Sequence, residues 1–189
     1  MPAAHPDALL IVDLQEAFFD APGLRTERRA LVEAVTRLSR AARDAGVPIL
    51  LISTVHSRDR STWTLSMLED DEGFLFSGDP GTEVLHELDT AGMTRVEKTR
   101  DSAWFGTDLL LRVHNLGVEH VVIAGVSTRA CIAQTARDAY ASNIRASVVA
   151  DAVADELPEH AEQVLEQLVE DRQARRTTVA ETTARWSTC

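Results

Sequence analysis

The chain has 189 residues, 44% of them hydrophobic, and a formal net charge of −11. This length and composition exclude extensive disorder and predict a single domain over residues 1–189, and no apolar run approaches the roughly 18 residues of a membrane span. The acidic balance argues against nucleic acid or an anionic membrane as partner, because both favour basic surfaces.

The first half of the chain alternates strand and helix signals. Residues 8–12 (ALLIV) form a continuous apolar run, which is typical of a parallel strand covered on both faces. Apolar residues then recur at helical spacing over 28–45, and a second buried strand is predicted over 47–55. Residues 56–81 are polar and Gly-rich, and such a long connection in a compact domain is often functional.

The second half continues the alternation. Strands are predicted over residues 92–98, 118–124 and 144–150, and helices over 107–115, 128–142 and 158–175. The tail, residues 176–189, is polar and Thr-rich, and it either adds a sixth strand at the sheet edge or stays flexible. The pattern predicts a three-layer α/β/α fold with a doubly wound, mostly parallel sheet of five or six strands.

Three reactive side chains follow predicted strands. Asp13 comes after the first strand, Lys98 after the third and Cys131 after the fourth. Ligands of such sheets bind beyond the carboxyl ends of the strands, near the point where the strand order reverses. A cysteine nucleophile needs a proton acceptor, for which a carboxylate is suited, and a lysine beside that carboxylate keeps it ionised.

The position of Cys131 adds a second argument. It falls in the first turn of the predicted helix over 128–142, where the helix dipole favours a thiolate. Backbone N–H groups without helical partners lie in the same turn and are suited to hold an oxyanion. Cys189, the other cysteine, is the last residue and is expected to be mobile.

Four ordered segments carry a resemblance to a known family. They are residues 10–15 (LIVDLQ), 98–108 (KTRDSAWFGTD), 124–131 (AGVSTRAC) and 150–155 (ADAVAD). The chain resembles the isochorismatase-like cysteine hydrolases, which include nicotinamidases, N-carbamoylsarcosine and ureidoacrylate amidohydrolases and streptothricin hydrolase. The resemblance covers residues 8–155 and implies a Rossmann-like fold.

The resemblance implies a catalytic triad. Asp13 corresponds to the carboxylate that takes the thiol proton, Lys98 to the triad lysine and Cys131 to the nucleophile. A cis peptide bond before the catalytic helix corresponds to Val126–Ser127, and the N–H groups of Ser127 and Cys131 to the oxyanion hole. The implied activity is hydrolysis of an amide, carbamoyl or lactam C–N bond of a small molecule through a thioester, without a cofactor, in a homodimer or homotetramer.

Substrate-binding candidates follow from position in the chain. They are Gln15, Phe18, Phe19, Trp63, Trp104 and Thr128. Aromatic residues also serve as core filler, and Thr128 also serves as a helix cap, so these readings stay open. Arg100 and Asp101 either form a salt bridge at the rim of the site or contact a polar substrate. The acidic run over residues 69–72 is either a solvated loop or an attraction for a cationic substrate.

A metal is not expected. Nicotinamidases carry an Asp-x-His motif with a further His downstream, whereas here His56 and Asp59 have the wrong spacing. His56 is read as a structural residue or a pocket residue. Isochorismatase-type cleavage of an enol ether, a non-enzymatic member of the fold and a redox-sensing thiol protein remain alternatives. Residues 1–6 carry no signal-peptide pattern, so we expect a cytoplasmic protein.

Overall fold

The fold is a single parallel sheet between two layers of helices. The computed structural model describes residues 7–188, so Cys189 and the expectation of its mobility lie outside the described residues. The strands are β1 (Asp7–Val12), β2 (Ile49–Thr54), β3 (Thr94–Lys98), β4 (His120–Val126), β5 (Arg145–Ala154) and β6 (Arg175–Thr177). They lie in the order β3-β2-β1-β4-β5-β6, and all pairs are parallel. This confirms the predicted fold class.

The helices cover both faces of this sheet. They are α1 (Pro22–Asp44), α2 (Leu65–Asp70), α3 (Leu109–Asn115), α4 (Ala133–Ala141), α5 (Pro158–Glu170) and α6 (Val179–Trp186). Buried residues of α1 and α6 pack on one face of the sheet. Those of α3, α4 and α5 pack on the other. The order of the strands reverses between β1 and β4, which places a crevice at the carboxyl ends of these two strands.

The pairing of β1 with β4 depends on one glycine. Gly125 has a φ of 123°, and a Cβ added there would lie 2.0 Å from the carbonyl oxygen of Val12. Only glycine accommodates both this backbone conformation and this close approach. Gly125 therefore brings the end of β4, and the turn that carries Cys131, next to the end of β1.

The tail does not stay flexible over its described residues. β6 is the predicted sixth strand at the edge of the sheet, and α6 follows it. Thr178 and Glu181 form a capping box at the start of α6, because each side chain accepts a hydrogen bond from the other residue's backbone N–H. Trp186 is buried at the end of this helix. Of the two alternatives for the tail, the structure shows the edge strand, and it adds a helix that was not predicted from the sequence.

Two other predicted elements change. The helix expected over 158–175 ends at Glu170, because the chain turns at Arg172, whose φ is 57°. The long connection over 56–81 contains the short helix α2, capped by the side chain of Thr64. No helix within residues 7–188 has the length and apolar character that crossing a bilayer requires.

Candidate active site

The three residues singled out at strand ends meet at one point. The ammonium nitrogen of Lys98 lies 2.8 Å from Oδ2 of Asp13 and 3.3 Å from Sγ of Cys131. Asp13 directly follows β1, Lys98 ends β3, and Cys131 lies in the turn after β4. The sheet thus brings together residues that are 33 to 118 positions apart in the chain.

A fourth residue, Thr54, belongs to this cluster. Its hydroxyl donates to Oδ1 of Asp13 at 2.9 Å and accepts from the ammonium of Lys98 at 2.7 Å. Sequence reasoning missed it, although its place at the end of β2, between the strands that carry Lys98 and Asp13, was a usable signal. Thr54 fixes the carboxylate and the ammonium relative to each other.

The Asp13–Lys98 pair is buried away from solvent. Asp13 is fully buried and Lys98 is 1% exposed. Burial acts to lower the pKa of Lys98, but the charges and hydrogen bonds of Asp13 and Cys131 together outweigh it, and the pKa of Lys98 is raised. The lysine therefore stays an ammonium. Its remaining contact is the carbonyl oxygen of Arg100 at 3.1 Å.

The sulfur of Cys131 differs from the prediction. Burial and the neighbouring Asp13 carboxylate raise the pKa of the Cys131 thiol, and the ammonium of Lys98 offsets only part of this effect. The sequence predicts that the helix dipole lowers this pKa and favours a thiolate. Burial and Asp13 raise it instead, so that prediction was wrong. The raised pKa favours the neutral thiol, and the sulfur lies 4.0 Å from Oδ1 of Asp101, to which the thiol donates.

The turn that holds Cys131 is a π-helical turn, Thr128–Ile132, followed by α4. The N–H groups of Ala130 and Ile132 both donate to the carbonyl of Ser127 at 3.2 Å. Arg129 donates its N–H at 2.9 Å and its Nε at 2.8 Å to the buried Asp155 carboxylate, which anchors the turn to the end of β5. The peptide bond between Val126 and Ser127 is cis.

Three of the candidate substrate-binding residues have structural positions instead. Gln15 is fully buried, and its amide group bonds the backbone of Thr54 and the carbonyl of Thr82. Phe19 packs in the core beneath α1. Thr128 is 1% exposed and donates to the carbonyl of Ala154. Each side chain is occupied by the fold, so none is available to line a substrate pocket.

The other aromatic candidates are anchored nearby. Trp104 donates from its indole nitrogen to the carbonyl of Thr135 at 2.8 Å and belongs to the core on the α4 face. Trp63 donates to the carbonyl of Ser57 at 2.9 Å and packs against Phe76. Phe18 is half-buried and meets the exposed ring of Phe74 edge-on. Each of these rings is held by contacts within the fold, and none belongs to the lining of the cavity beside Asp101.

A cavity lies beside Asp101, whose carboxylate contacts the sulfur of Cys131. It has a volume of about 530 Å³ and is lined by Thr64, Leu65, Ser66, Arg100, Asp101, Ser102, Phe105, Gln134 and Asp138. One carboxylate oxygen of Asp101 lies 4.0 Å from the sulfur of Cys131. The cavity therefore provides space for a small molecule beside the thiol. A larger cavity of about 920 Å³ lies at the opposite end of the sheet, near Arg145 and Arg175. Neither lining includes a triad residue, but Asp101 of the smaller cavity contacts the sulfur of Cys131.

The rim salt bridge considered for Arg100 and Asp101 does not form. The guanidinium of Arg100 donates instead to the backbone carbonyls of Thr62, Thr99 and Trp63. Asp101 has no ion pair among residues 7–188, and its side chain faces the cavity mouth. Arg100 thus ties the segment before α2 to the end of β3.

The residues around Cys131 do not form a metal site. His56 is buried, and its Nδ1 lies 2.9 Å from the carbonyl oxygen of Thr62, which fits the structural reading. Burial lowers the pKa of His56, so its ring is neutral. In the described part of the chain, three potential ligands converge only at Glu16, His86 and Glu87, on the surface, where Arg28 already pairs with both carboxylates.

Comparisons with known proteins agree with this geometry. Residues 7–182 match the profile of the Isochorismatase domain family. A "probable inactive nicotinamidase" from Arabidopsis thaliana is 30% identical over 154 residues, which cover 77% of this chain and 79% of that protein. An N-carbamoylsarcosine amidase from Arthrobacter sp is 30% identical over 156 residues, which cover 73% of this chain and 55% of the amidase.

A solved structure shares the fold over almost its whole length. The crystal structure of an isochorismatase family protein from Desulfovibrio vulgaris subsp. vulgaris str. Hildenborough superposes with a TM-score of 0.83 at 27% identity. The match covers 94% of this chain and 96% of that one.

Proposed function

Because this chain belongs to the isochorismatase family, whose members are hydrolases, we propose that it is a cysteine amidohydrolase acting on a C–N bond of a small molecule. The observation that carries the proposal is the contact of one buried ammonium, that of Lys98, with both a carboxylate and a thiol. A structural ion pair does not need a cysteine beside it. Nucleophilic catalysis needs a thiol next to a proton acceptor.

The first half of the reaction forms a thioester. The substrate carbonyl enters from the cavity, and the sulfur of Cys131 attacks its carbon while the thiol proton passes to Asp13. Because the resting thiol has a raised pKa, proton transfer accompanies the attack and does not precede it. The ammonium of Lys98 stabilises the Asp13 carboxylate before the proton transfer and the negative charge that develops on the sulfur during it.

The oxygen of the tetrahedral intermediate needs donors. In our proposal these are the N–H groups of Ser127 and Cys131, since Arg129, Ala130 and Ile132 in the same turn already donate to other acceptors. A donor of this kind is worth about 10²- to 10³-fold in rate. Asp13 then returns its proton to the leaving nitrogen, and the C–N bond breaks.

The second half releases the acid. Water enters where the amine has left, Asp13 takes one of its protons, and the hydroxide attacks the thioester carbon. The thiolate leaves, recovers the proton from Asp13, and the site returns to its starting state. The balance is one water consumed, with one carboxylic acid and one amine or ammonia formed.

The test is to trap the acyl group on the sulfur. The purified protein is screened for ammonia or amine release across primary amides, carbamoyl compounds, ureides and lactams, and quenched samples are measured by intact mass. We expect an acyl adduct on Cys131 and a loss of turnover of about 10³-fold or more in Cys131→Ala, on the scale of other nucleophile deletions. Turnover of the Cys131→Ala variant at the wild-type rate would contradict the covalent mechanism.

A non-enzymatic role is the alternative that one relative's description favours, since that protein is described as inactive. Here Asp13, Lys98 and Cys131 are all present and in contact. The same screen separates the two functions, because a binding protein retains substrate-like amides without releasing ammonia or carrying an acyl adduct.

A further inference from the structure

We propose that the substrate carries a positively charged group, an ammonium or a guanidinium, which Asp101 and Asp138 bind while the amide carbonyl meets Cys131. The inference rests on the proposed amidohydrolase function and adds to it the charge class of the substrate. Its basis is the cavity beside the sulfur and the ionisable groups that line it.

The carboxylate of Asp101 lies close to the sulfur of Cys131. Its Oδ1 lies 4.0 Å from the sulfur of Cys131, and its side chain is exposed at the cavity. A substrate whose carbonyl carbon bonds to this sulfur must place its neighbouring atoms beside the Asp101 carboxylate. A cation at that position is attracted, and an anion is repelled at a distance where Coulomb interactions are still strong.

The lining of the cavity carries more negative than positive charge that is free to meet a ligand. The ionisable residues there are Arg100, Asp101 and Asp138. The Arg100 guanidinium already donates to three backbone carbonyls, whereas neither carboxylate forms an ion pair within residues 7–188. Asp138 accepts one hydrogen bond, from the side-chain amide of Gln134 at 2.9 Å. The charge left for a ligand to neutralise is therefore negative.

Part of the cavity lining is apolar and exposed to solvent. Leu65 and Phe105 line it and are 77% and 66% exposed, which is a large exposure for side chains of this kind. A short hydrocarbon segment between the amide and the cation would cover them. The cavity volume of about 530 Å³ suits a small ligand of this kind.

The residues around the cavity, and the chain as a whole, are also negatively charged and therefore favour a cationic substrate. The helix that carries Leu65 continues into the exposed acidic run of residues 69–72. The whole chain has a formal net charge of −11. Such a field raises the local concentration of cations near the cavity mouth and lowers that of anions.

The competing occupant is an anion bound by the remaining N–H groups of Arg100. The first experiment compares the two signs by labelling the sulfur with 2-aminoethyl and 2-sulfonatoethyl methanethiosulfonate at low ionic strength. The sulfur of Cys131 attacks the reagent, a disulfide forms, and methanesulfinate leaves. Rates are measured by intact mass in a Cys189→Ser background and divided by those of free 2-mercaptoethanol.

We expect the normalised rate of the cationic reagent to exceed that of the anionic one by about tenfold, and Asp101→Asn to reduce this preference about fivefold, the scale of one partly exposed ion pair. Asp44→Asn is the matched control, because it removes the same charge from the exposed end of α1, away from the cavity. A preference for the anionic reagent, or an unchanged preference in Asp101→Asn, would overturn the inference.

The second experiment uses amides of equal length, namely 4-aminobutanamide, pentanamide and succinamate. We expect kcat/KM to fall in that order, and Asp101→Asn to reduce the advantage of the cation over the neutral amide. If succinamate is hydrolysed faster than the other two amides, through an adduct on Cys131, the proposed function stands and the inference of a cationic substrate is wrong. If the cationic reagent labels faster but no amide gives an acyl adduct, the site prefers cations and the proposed amidohydrolase function is wrong.

Discussion

Strand β1 carries an aspartate at each end, and each carboxylate lies in a buried polar network that contains a nucleophilic side chain. At the amino end, Oδ1 of Asp7 lies 2.7 Å from Nδ1 of His120, whose Nε2 lies 2.9 Å from the hydroxyl of Ser147. At the carboxyl end, Asp13 pairs with Lys98, which contacts Cys131. By distance alone, both groups have the spacing of a catalytic triad.

The two networks differ in how fully they are satisfied. The second oxygen of Asp7 accepts from the indole N–H of Trp186 and the guanidinium of Arg185, both at 2.7 Å, so α6 closes over this end. Oδ2 of Asp13 meets the ammonium of Lys98 but has no well-directed hydrogen bond. The sulfur beside it adjoins a cavity.

The comparison teaches that triad distances do not by themselves identify catalysis. A network whose acceptors are all occupied and covered by a helix stabilises the fold. A network that leaves an acceptor poorly satisfied, next to a nucleophile with space for a ligand, is equipped to react. Variants at the two ends of β1 should therefore separate activity from stability.

The largest effect is expected at the carboxyl end. Asp13→Asn keeps the shape of the side chain but removes the proton acceptor, and kcat/KM should fall by about 10²- to 10⁴-fold. The measurement is ammonia release with the best amide from the screen. Asp7→Asn is the matched control at the other end of the strand and should stay within about threefold of wild type. Equal losses in both variants would show that the comparison is wrong.

The same variant should make the sulfur more reactive. Because the Asp13 carboxylate raises the pKa of the Cys131 thiol, its removal lowers that pKa and increases the thiolate fraction near pH 8. Alkylation of Cys131 by iodoacetamide should be about tenfold faster in Asp13→Asn than in wild type, even as hydrolysis is lost. Intact-mass kinetics in a Cys189→Ser background measure this, and slower alkylation would contradict the role of the carboxylate.

At the amino end the expected loss is in stability. Asp7→Asn turns one acceptor into a donor that faces His120 or Trp186, and a buried mismatch of this kind costs about 1–3 kcal/mol. Urea denaturation at pH 7 gives the free energy of unfolding of both proteins. An unchanged midpoint would mean that this network contributes nothing to stability.

The stability difference should also depend on pH. Burial tends to raise the pKa of Asp7, but hydrogen bonds from His120 and Trp186 outweigh it, and the pKa lies below its ordinary value of 3.8. The stabilisation is therefore present above that value and is lost as the pH falls through the lowered pKa. Unfolding curves of wild type and Asp7→Asn should converge below about pH 3 and stay separated above about pH 5.

The smallest effect is expected at the helix that covers the amino end. Thr178→Ala removes the side-chain cap of α6 and should lower the free energy of unfolding by about 1 kcal/mol without changing activity. Thr183→Ala is the control. Thr183 is half-buried in the same helix, its hydroxyl bonds the carbonyl of Ala180 within that helix, and its removal should change the free energy of unfolding by less than about 0.5 kcal/mol. Thermal or urea denaturation distinguishes the two.

The cluster at the carboxyl end of the sheet could be predicted from the sequence because its residues directly follow apolar runs. Asp13, Lys98 and Cys131 each stand where a predicted strand ends, and parallel strands bring such ends together. The amino end was not readable in this way. Asp7 and Ser147 attract no notice in the sequence, and their partners in α6 come from a tail that looked unpatterned.

The sequence contained a local signal for helix α6, which we did not predict, but none for the raised pKa of Cys131. The Thr178 and Glu181 spacing is that of a capping box, and Val179, Thr182 and Trp186 repeat at helical intervals. The raised pKa of Cys131 could not have been predicted, because it depends on burial and on a carboxylate 118 positions away in the chain. The structural roles of Gln15 and Thr128 could not be predicted either, because their side chains bond backbone groups of segments that are distant in the sequence.

The two-sided attachment of Arg100 has a mechanical consequence. Its carbonyl accepts from the ammonium of Lys98, while its guanidinium holds the carbonyls of Thr62 and Trp63. One residue therefore links the reacting cluster to the segment that leads into α2 at the entrance. A displacement of that segment would therefore act, through Arg100, on the Lys98 ammonium, and would couple the opening of the cavity to the geometry of the Asp13, Lys98 and Cys131 cluster.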